Sequence, residues 1–298
     1  MNRLIIISGP TASGKSYLAD ITSQKHDSVI INADSMQIYK ELPILTAQPQ
    51  KKTEKYTLYG ILDYRTHCSA GKWVELATKK IDETIAADKR AIVVGGTGLY
   101  LKSLLYGIVN IPDIDPEIRQ KVRNLLKEIG KEKFYKLLND KDSQATKTIH
   151  ANDSQRMMRA MEVLEQTGKS ITSFKGSENA VRYKDYTHIC LFPDREFLYQ
   201  NCNSRFKSML ASGAIDEVKS LKRQINRDNK DYMLKKAIGF REISDYLDGN
   251  FSLEEATEKA SQATRNYAKR QLTWFRNQMP DKRCIEYEAM AELKDELF

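Results

Sequence analysis

Several short segments of this 298-residue chain carry residue types that could do chemistry. The earliest is Gly9-Pro10-Thr11-Ala12-Ser13-Gly14-Lys15-Ser16, which fits G-x-x-x-x-G-K-[ST], a phosphate-cradling loop between a strand and a helix. Gly9 and Gly14 allow backbone conformations that a side chain would hinder. The loop's N–H groups and the following helix N-terminus point at an anion. Lys15 adds a point charge on phosphate oxygens, and Ser16 offers a hydroxyl to Mg²⁺. Asp34 ends the apolar run Ser28–Asn32 and could accept a proton from an incoming nucleophile; the alternative is a helix cap for Ser35–Lys40. Gly95-Gly96-Thr97-Gly98 ends a third apolar run, with glycines that permit close backbone approach and one hydroxyl, or simply a tight turn.

Charge is the second signal. Arg156 and Arg159 stand three apart and share a helix face, as do Arg119 and Arg123 at four. Such pairs could grip phosphates or merely line a solvated face. Thr264–Arg276 is basic with aromatics interleaved: Arg265, Lys269 and Arg270 suggest phosphate or nucleic acid, while Tyr267, Trp274 and Phe275 read more readily as core. The net charge of +8 suggests a polyanionic partner.

These segments need elements to position them. Leu4–Ser8, Ser28–Asn32 and Ala91–Val94 read as strands, alternating with helices over Ser16–Gln24, Gly71–Ala87 and Leu99–Leu105. Strands that are apolar throughout and alternate with helices imply a parallel sheet covered on both faces. The expected fold class is α/β, a P-loop NTPase-like parallel sheet flanked by helices. Near Ile111–Pro116 the texture changes, and 114–185 reads as an all-helical insertion with segments at 117–129, 131–138, 142–149 and 153–166. Residues 1–113 and 186–298 form the core, with a strand at 188–192, helices over 195–210, 215–225, 234–247 and 253–278, and a closing strand at 283–287. Ser252 and Glu255 form a capping box.

Other classes are disfavoured. No run approaches the roughly 18 apolar residues of a membrane span. The apolar strand reaches Gly9 too soon for a signal peptide, so cytoplasm is the expected location. Cys68, Cys190, Cys202 and Cys284 show no C-x-x-C, and the four histidines are scattered, which argues against a transition-metal site. The third strand carries no acid before Gly95, unlike an ordinary NTPase with an acidic Mg²⁺ ligand there.

Taken in order, the segments resemble the tRNA dimethylallyltransferase family, the isopentenyl transferases that modify tRNA. The resemblance rests on Gly9–Ser16, Asp34–Lys40, Val94–Tyr100, Asp115–Arg119, Asn152–Val163, Ala237–Glu242 and Thr264–Arg276, and it covers nearly the whole chain. It implies transfer of the five-carbon group of dimethylallyl diphosphate to N6 of adenosine 37 in the anticodon loop, with release of diphosphate. The loop would then hold a prenyl diphosphate rather than ATP. By match to the family, Asp34 is the general base. Thr97 orients the adenine or the departing group, Lys15 and Arg119 stabilise the leaving diphosphate, and Ser16 binds Mg²⁺. The segments that would contact tRNA are Asp34, Ser35, Met36 and Gln37; Gln155, Arg156, Met157, Met158 and Arg159; and Lys236 with Arg241. The target base must leave its stack, and the insertion would grip the anticodon stem by shape and charge. A monomer is expected.

The chain departs from the family pattern at Lys55–Asp63, which lacks a Pro-His pair, and at Cys68–Trp73, which lacks the usual aromatic residue, serine and acid. Two rivals stay in view. One is a small-molecule P-loop kinase with the insertion as an arginine-bearing lid. The other is an RNA-binding protein with an inactive site.

Overall fold

The computed structural model of the chain describes residues 2–50, 53–109, 111–174, 182–227 and 232–279. Five strands, β1 (Leu4–Ser8), β2 (Ser28–Asn32), β3 (Tyr56–Thr57), β4 (Arg90–Gly95) and β5 (Thr187–Cys190), form one sheet in the order β3-β2-β4-β1-β5. Every pairing is parallel, and Ile5, Ile6 and Ile7 of β1 lie opposite Ile92, Val93 and Val94 of β4. β1 is buried along its whole length, which is why its sequence runs apolar rather than alternating. The helices are α1 (Lys15–Lys25), α2 (Ala70–Ala86), α3 (Gly98–Tyr106), α4 (Pro116–Lys141), α5 (Ser143–Thr146), α6 (Ser154–Thr167), α7 (Arg195–Ala211), α8 (Ala214–Ile225), α9 (Phe240–Leu247) and α10 (Leu253–Gln278).

The chain divides into two compact units, Met1–Leu105 with Tyr183–Phe298, and Tyr106–Arg182. The second therefore begins ahead of Ile114. In the first unit, Ile5, Ile7, Leu18, Ile30, Ile92, Val94 and Ile189 build the sheet's core. A parallel sheet presents the carboxyl ends of its strands on one edge, where ligands of open α/β sheets bind. β1, β2 and β4 deliver the phosphate loop, Asp34 and Gly95–Gly98 to that edge.

The second unit packs α4 against α6 around Val122, Phe134, Leu138, Met157, Ala160 and Met161. Asp115 caps α4 through its carboxylate, and Pro116 occupies the first turn, where a missing N–H costs nothing. Gly130 breaks α4 at φ 75°, which separates the two segments read from the sequence.

Three expectations change. Of the helix weighed over Ser35–Lys40, Ser35–Ile38 forms turns and Tyr39 an isolated parallel bridge to Leu62. The helix expected at 234–247 is a 3₁₀ turn at Met233–Lys236 followed by α9, because Gly239 turns the chain at φ 94°. β3 joins the sheet edge from within the segment that departs from the family pattern. The closing strand at 283–287 lies outside the described residues. Among the described residues no helix is long and apolar enough to cross a membrane.

Candidate active site

The phosphate loop rises from β1 and ends in α1. Gly9 sits at φ 141°, and a Cβ there would lie 2.7 Å from the Leu191 carbonyl oxygen. Only glycine fits both the dihedral and the space. Gly14, at φ 88°, turns the chain into the first residue of α1. Lys15 Nζ donates to the Pro10 carbonyl across the loop. Burial, and then the neighbouring Arg205 cation, lower the Lys15 pKa from its ordinary value to about 8.

The loop is held from outside by residues far along the chain. Gln271 of α10 accepts from the Thr11 N–H at 2.8 Å and donates to the Gly96 carbonyl at 2.8 Å, joining the ends of β1 and β4. Asn201 of α7 donates to the Ala12 carbonyl at 3.3 Å, and Arg205 donates to the Thr11 hydroxyl. Leu198, Cys202 and Ala268 pack beneath Ala12 and Leu272. Helices α7 and α10 thus scaffold the loop from segments far along the chain.

Asp34 follows the end of β2. Its Oδ1 accepts from the Met36 N–H at 2.8 Å and the Gln37 N–H at 3.4 Å, so one oxygen does cap a turn. Oδ2 accepts none of the hydrogen bonds formed among the described residues. Asn32, wholly buried, fixes the segment: its Oδ1 accepts from the Asp34 N–H at 2.8 Å, and its Nδ2 donates to the carbonyls of Asp34 and Leu58. Burial, followed by the charge of Asp34, pushes the phenols of Tyr59 and Tyr267 up, so both stay neutral.

The glycines after β4 are required by close approach. A Cβ on Gly95 would meet the Ala33 backbone at 2.2 Å, and one on Gly98 would strike the Trp274 ring at 2.2 Å. Thr97 joins β4 to the Asp34 segment: its Oγ1 accepts from the Ser35 N–H at 3.0 Å, and its own N–H donates to the Ala33 carbonyl at 3.2 Å.

Parts of these segments line one cavity of about 600 Å³, whose wall includes Gly95 and Gly96 but not Gly9, Pro10 or Thr97. Thr11–Tyr17 and Arg205 form one part of its wall, and Asp34, Gln37, Thr46, Ala47 and Tyr59 form another. The arrangement sets two half-buried cations and an array of loop amides beside a carboxylate. It can bind a phosphorylated group, neutralise charge on it and take a proton from a second molecule. For Mg²⁺, the donors are hydroxyl oxygens, with Ser16 exposed at the first turn of α1. Ser13 Oγ is buried in the loop with no partner among the described residues. That suits an ion that keeps several waters and binds through one or two protein oxygens plus substrate phosphates.

The remaining candidates divide by place. Arg119 and Gln155–Arg159 belong to the second unit. Arg119 Nε is buried there without a partner. Arg156 pairs with Asp153 at 3.3 Å, and Arg159 with Glu162 at 3.6 Å. Met157 is a correction: its side chain is fully buried in that unit's core, so it packs the helix rather than facing a ligand. In the first unit Lys236 is exposed, and Arg241 pairs with Asp245 at 3.7 Å. Arg265 is also corrected. Its guanidinium donates to Asn203, Glu258 and Gln262, each at 2.7 Å, so it ties α7 to α10 instead of offering a free cation. Lys269 and Arg270 are exposed, with Arg270 lying 5.8 Å from the Tyr267 ring centroid.

Comparison with known proteins follows the same pattern. The model of the IPP transferase family matches residues 37–278. The chain is 45% identical to the tRNA dimethylallyltransferase of Rickettsia conorii, over 99% of this chain and 82% of that protein. It is 42% identical to that of Wolbachia pipientis, over 96% of both. Among solved structures, the full-length tRNA isopentenylpyrophosphate transferase of Bacillus halodurans superposes with a TM-score of 0.64 at 32% identity, covering 97% of this chain and 90% of that one. A eukaryotic dimethylallyltransferase acting on tRNA superposes with a TM-score of 0.81 at 26% identity, covering 98% of this chain and 75% of that one. A phosphate loop without an acid on β4, an aspartate after β2 and this full-length likeness have one explanation: the chain belongs to the IPP transferase family.

Proposed function

We propose that the protein transfers a dimethylallyl group from dimethylallyl diphosphate to N6 of adenosine 37 in the anticodon loop of tRNA. The single observation that carries this is the convergence of the Gly9–Ser16 loop and Asp34 on one cavity. In the reaction the bond between C1 of the prenyl group and its diphosphate oxygen breaks, and the electron pair leaves with diphosphate. A bond forms between C1 and N6, and the N6 proton passes to Asp34 Oδ2. An exocyclic amine conjugated with a purine is a poor nucleophile. Proton removal and leaving-group neutralisation are therefore the large contributions.

Lys15 and Arg205 hold the diphosphate by charge, with the loop amides and the Ser13 hydroxyl completing its shell. Ser16 would hold Mg²⁺ through its hydroxyl, and the ion would supply further charge neutralisation. Thr97 keeps the Asp34 segment in register with the loop after β4. Gln155, Arg156 and Arg159 of the second unit, and Lys236 and Arg241 of the first, contact the tRNA backbone, while Arg119 keeps the role the family match implies, stabilising charge on the leaving diphosphate. The protein works in the cytoplasm as a monomer.

The test is mass spectrometry of nucleosides from tRNA incubated with the protein, dimethylallyl diphosphate and Mg²⁺. The expected product is an adenosine heavier by one C5H8 unit, formed only with all components present. ADP formed from ATP without modified tRNA would instead establish the kinase reading.

A further inference from the structure

We propose that Glu217, in the first turn of α8, is a positioning residue for the acceptor side of the transfer site; this rests on the function proposed above. Both of its carboxylate oxygens are engaged. Oε1 accepts from the Ile44 N–H at 2.8 Å, and Oε2 accepts from the Leu45 N–H at 2.9 Å. Those amides open a tight turn in which the Thr46 N–H donates to the Leu42 carbonyl, and the Ala47 N–H donates to the Ile44 carbonyl, both at 3.0 Å. Glu217 therefore caps, from a distant helix, a turn too short to supply its own cap.

The far end of the same turn reaches the cavity. Gln37 Nε2 donates to the carbonyls of Thr46 at 2.7 Å and Ala47 at 3.1 Å. The Gln37 N–H in turn donates to Asp34 Oδ1 at 3.4 Å. One hydrogen-bonded chain thus runs from Asp34 through Gln37 and the turn to Glu217. Gln37, Thr46 and Ala47 line the cavity with Asp34, while Glu217 does not. Ala47 is held at φ 57°, and Leu45 packs so closely over Gly239 that a Cβ there would lie 2.8 Å from Leu45 Cδ1. The turn is pinned at both ends and in the middle.

None of these bonds touches the phosphate loop. The part of the cavity that receives a leaving diphosphate is held by Gln271, Asn201 and Arg205, and the part around Asp34 by Gln37 and the turn. A change at Glu217 should therefore be felt by the acceptor and not by the prenyl diphosphate. A misplacement of about 1 Å at a reacting site can cost on the order of a hundredfold. A bidentate carboxylate cap on a site wall has that kind of leverage.

The experiment is steady-state kinetics of Glu217→Ala and Glu217→Gln, varying tRNA and dimethylallyl diphosphate separately, with the exposed Glu254→Gln as control. The expected result for Glu217→Ala is a KM for tRNA raised about tenfold or more, with the KM for dimethylallyl diphosphate within about twofold. Glu217→Gln, which keeps one acceptor oxygen, should show a smaller rise of the same kind. If Glu217→Ala does not fold, Glu217→Gln carries the test alone. Folded variants that melt lower but keep both KM values would make Glu217 a purely structural cap and overturn the proposal, as would equal rises in both. Absence of tRNA-dependent transfer by the unaltered enzyme would instead overturn the function itself.

Discussion

Arg205 donates to the hydroxyl of Thr11, so a cation from α7 closes a phosphate loop that lies nearly two hundred residues earlier in the chain. The guanidinium is half-buried and beside Lys15, which places two cations where a diphosphate would arrive. Burial of like charges is unfavourable until an anion occupies the site, and this makes the pair selective for one. Replacing Arg205 by alanine should reduce kcat/KM for dimethylallyl diphosphate by about 10²–10³, the loss seen when one preorganised donor is removed from a developing anion. Arg205→Lys should recover little, because a point charge cannot reach both Thr11 and a phosphate. A wild-type rate in steady-state assays of Arg205→Ala would remove this residue from the reaction.

The Lys15 ammonium gives a pH signature. Its pKa in the unliganded site is lowered to about 8 by burial and by Arg205. A bound diphosphate favours the charged form and raises that pKa again. Affinity for dimethylallyl diphosphate should therefore be greatest below about pH 8 and decline as pH rises above it. Binding near pH 8.5 should take up a proton. Calorimetry of the same titration in two buffers with different ionisation enthalpies measures the uptake. Identical heats in both would mean that Lys15 is already fully charged in the free protein.

Asp34 separates binding from chemistry. Asp34→Asn keeps an oxygen that can accept from Met36 and Gln37, so the turn survives while the basic carboxylate is lost. Transfer should fall by at least about 10²-fold, at the lower end of what general acid–base catalysis contributes. Affinity for tRNA should stay within a few-fold. Single-turnover assays alongside a binding titration give both values, and full activity in the variant would sink the general-base role.

What the sequence disclosed here, and what it hid, follows from the range of the interactions. The loop, the β2–Asp34 junction and Gly95–Gly98 were legible because each is a local device: a positive φ, a strand end, a close approach. Asn32 carries a usable signal of its own, a polar residue closing an apolar strand, since a buried amide must find partners. Arg205, Asn201, Gln271 and Glu217 are invisible as site residues, because each acts across a tertiary contact between distant segments. Arg265 is hidden only in part: Asn203 engages it across a tertiary contact, whereas Gln262 and Glu258 stand three and seven residues earlier on its own helix, at spacings that share its face.

Gly95 tests the packing at the carboxyl edge of the sheet. An added Cβ would lie 2.2 Å from both the carbonyl carbon and oxygen of Ala33, and backbone cannot swing aside as a flexible side chain can. Gly95→Ala should destabilise the protein by about 3 kcal/mol, at the upper end of overpacking costs, and displace Asp34 with its strand. Denaturant unfolding of the variant checks it, and an unchanged midpoint would show that β2 and β4 part more easily than their register implies.

Helix α6 carries two roles on adjacent residues, and they can be separated by salt. Arg156 is well exposed, and its ion pair with Asp153 is of the kind worth little in water. It is available to a phosphate without loss of structure. Met157, one residue on, is completely buried against α4. Arg156→Ala should therefore leave the melting temperature unchanged while weakening tRNA binding and lowering the slope of log affinity against log salt by about one. Met157→Ala should do the reverse: a loss of about 2–5 kcal/mol of stability, with the salt slope of the folded fraction intact. A salt titration of both variants distinguishes them. Equal slopes for Arg156→Ala and the unaltered protein would take α6 out of the RNA interface.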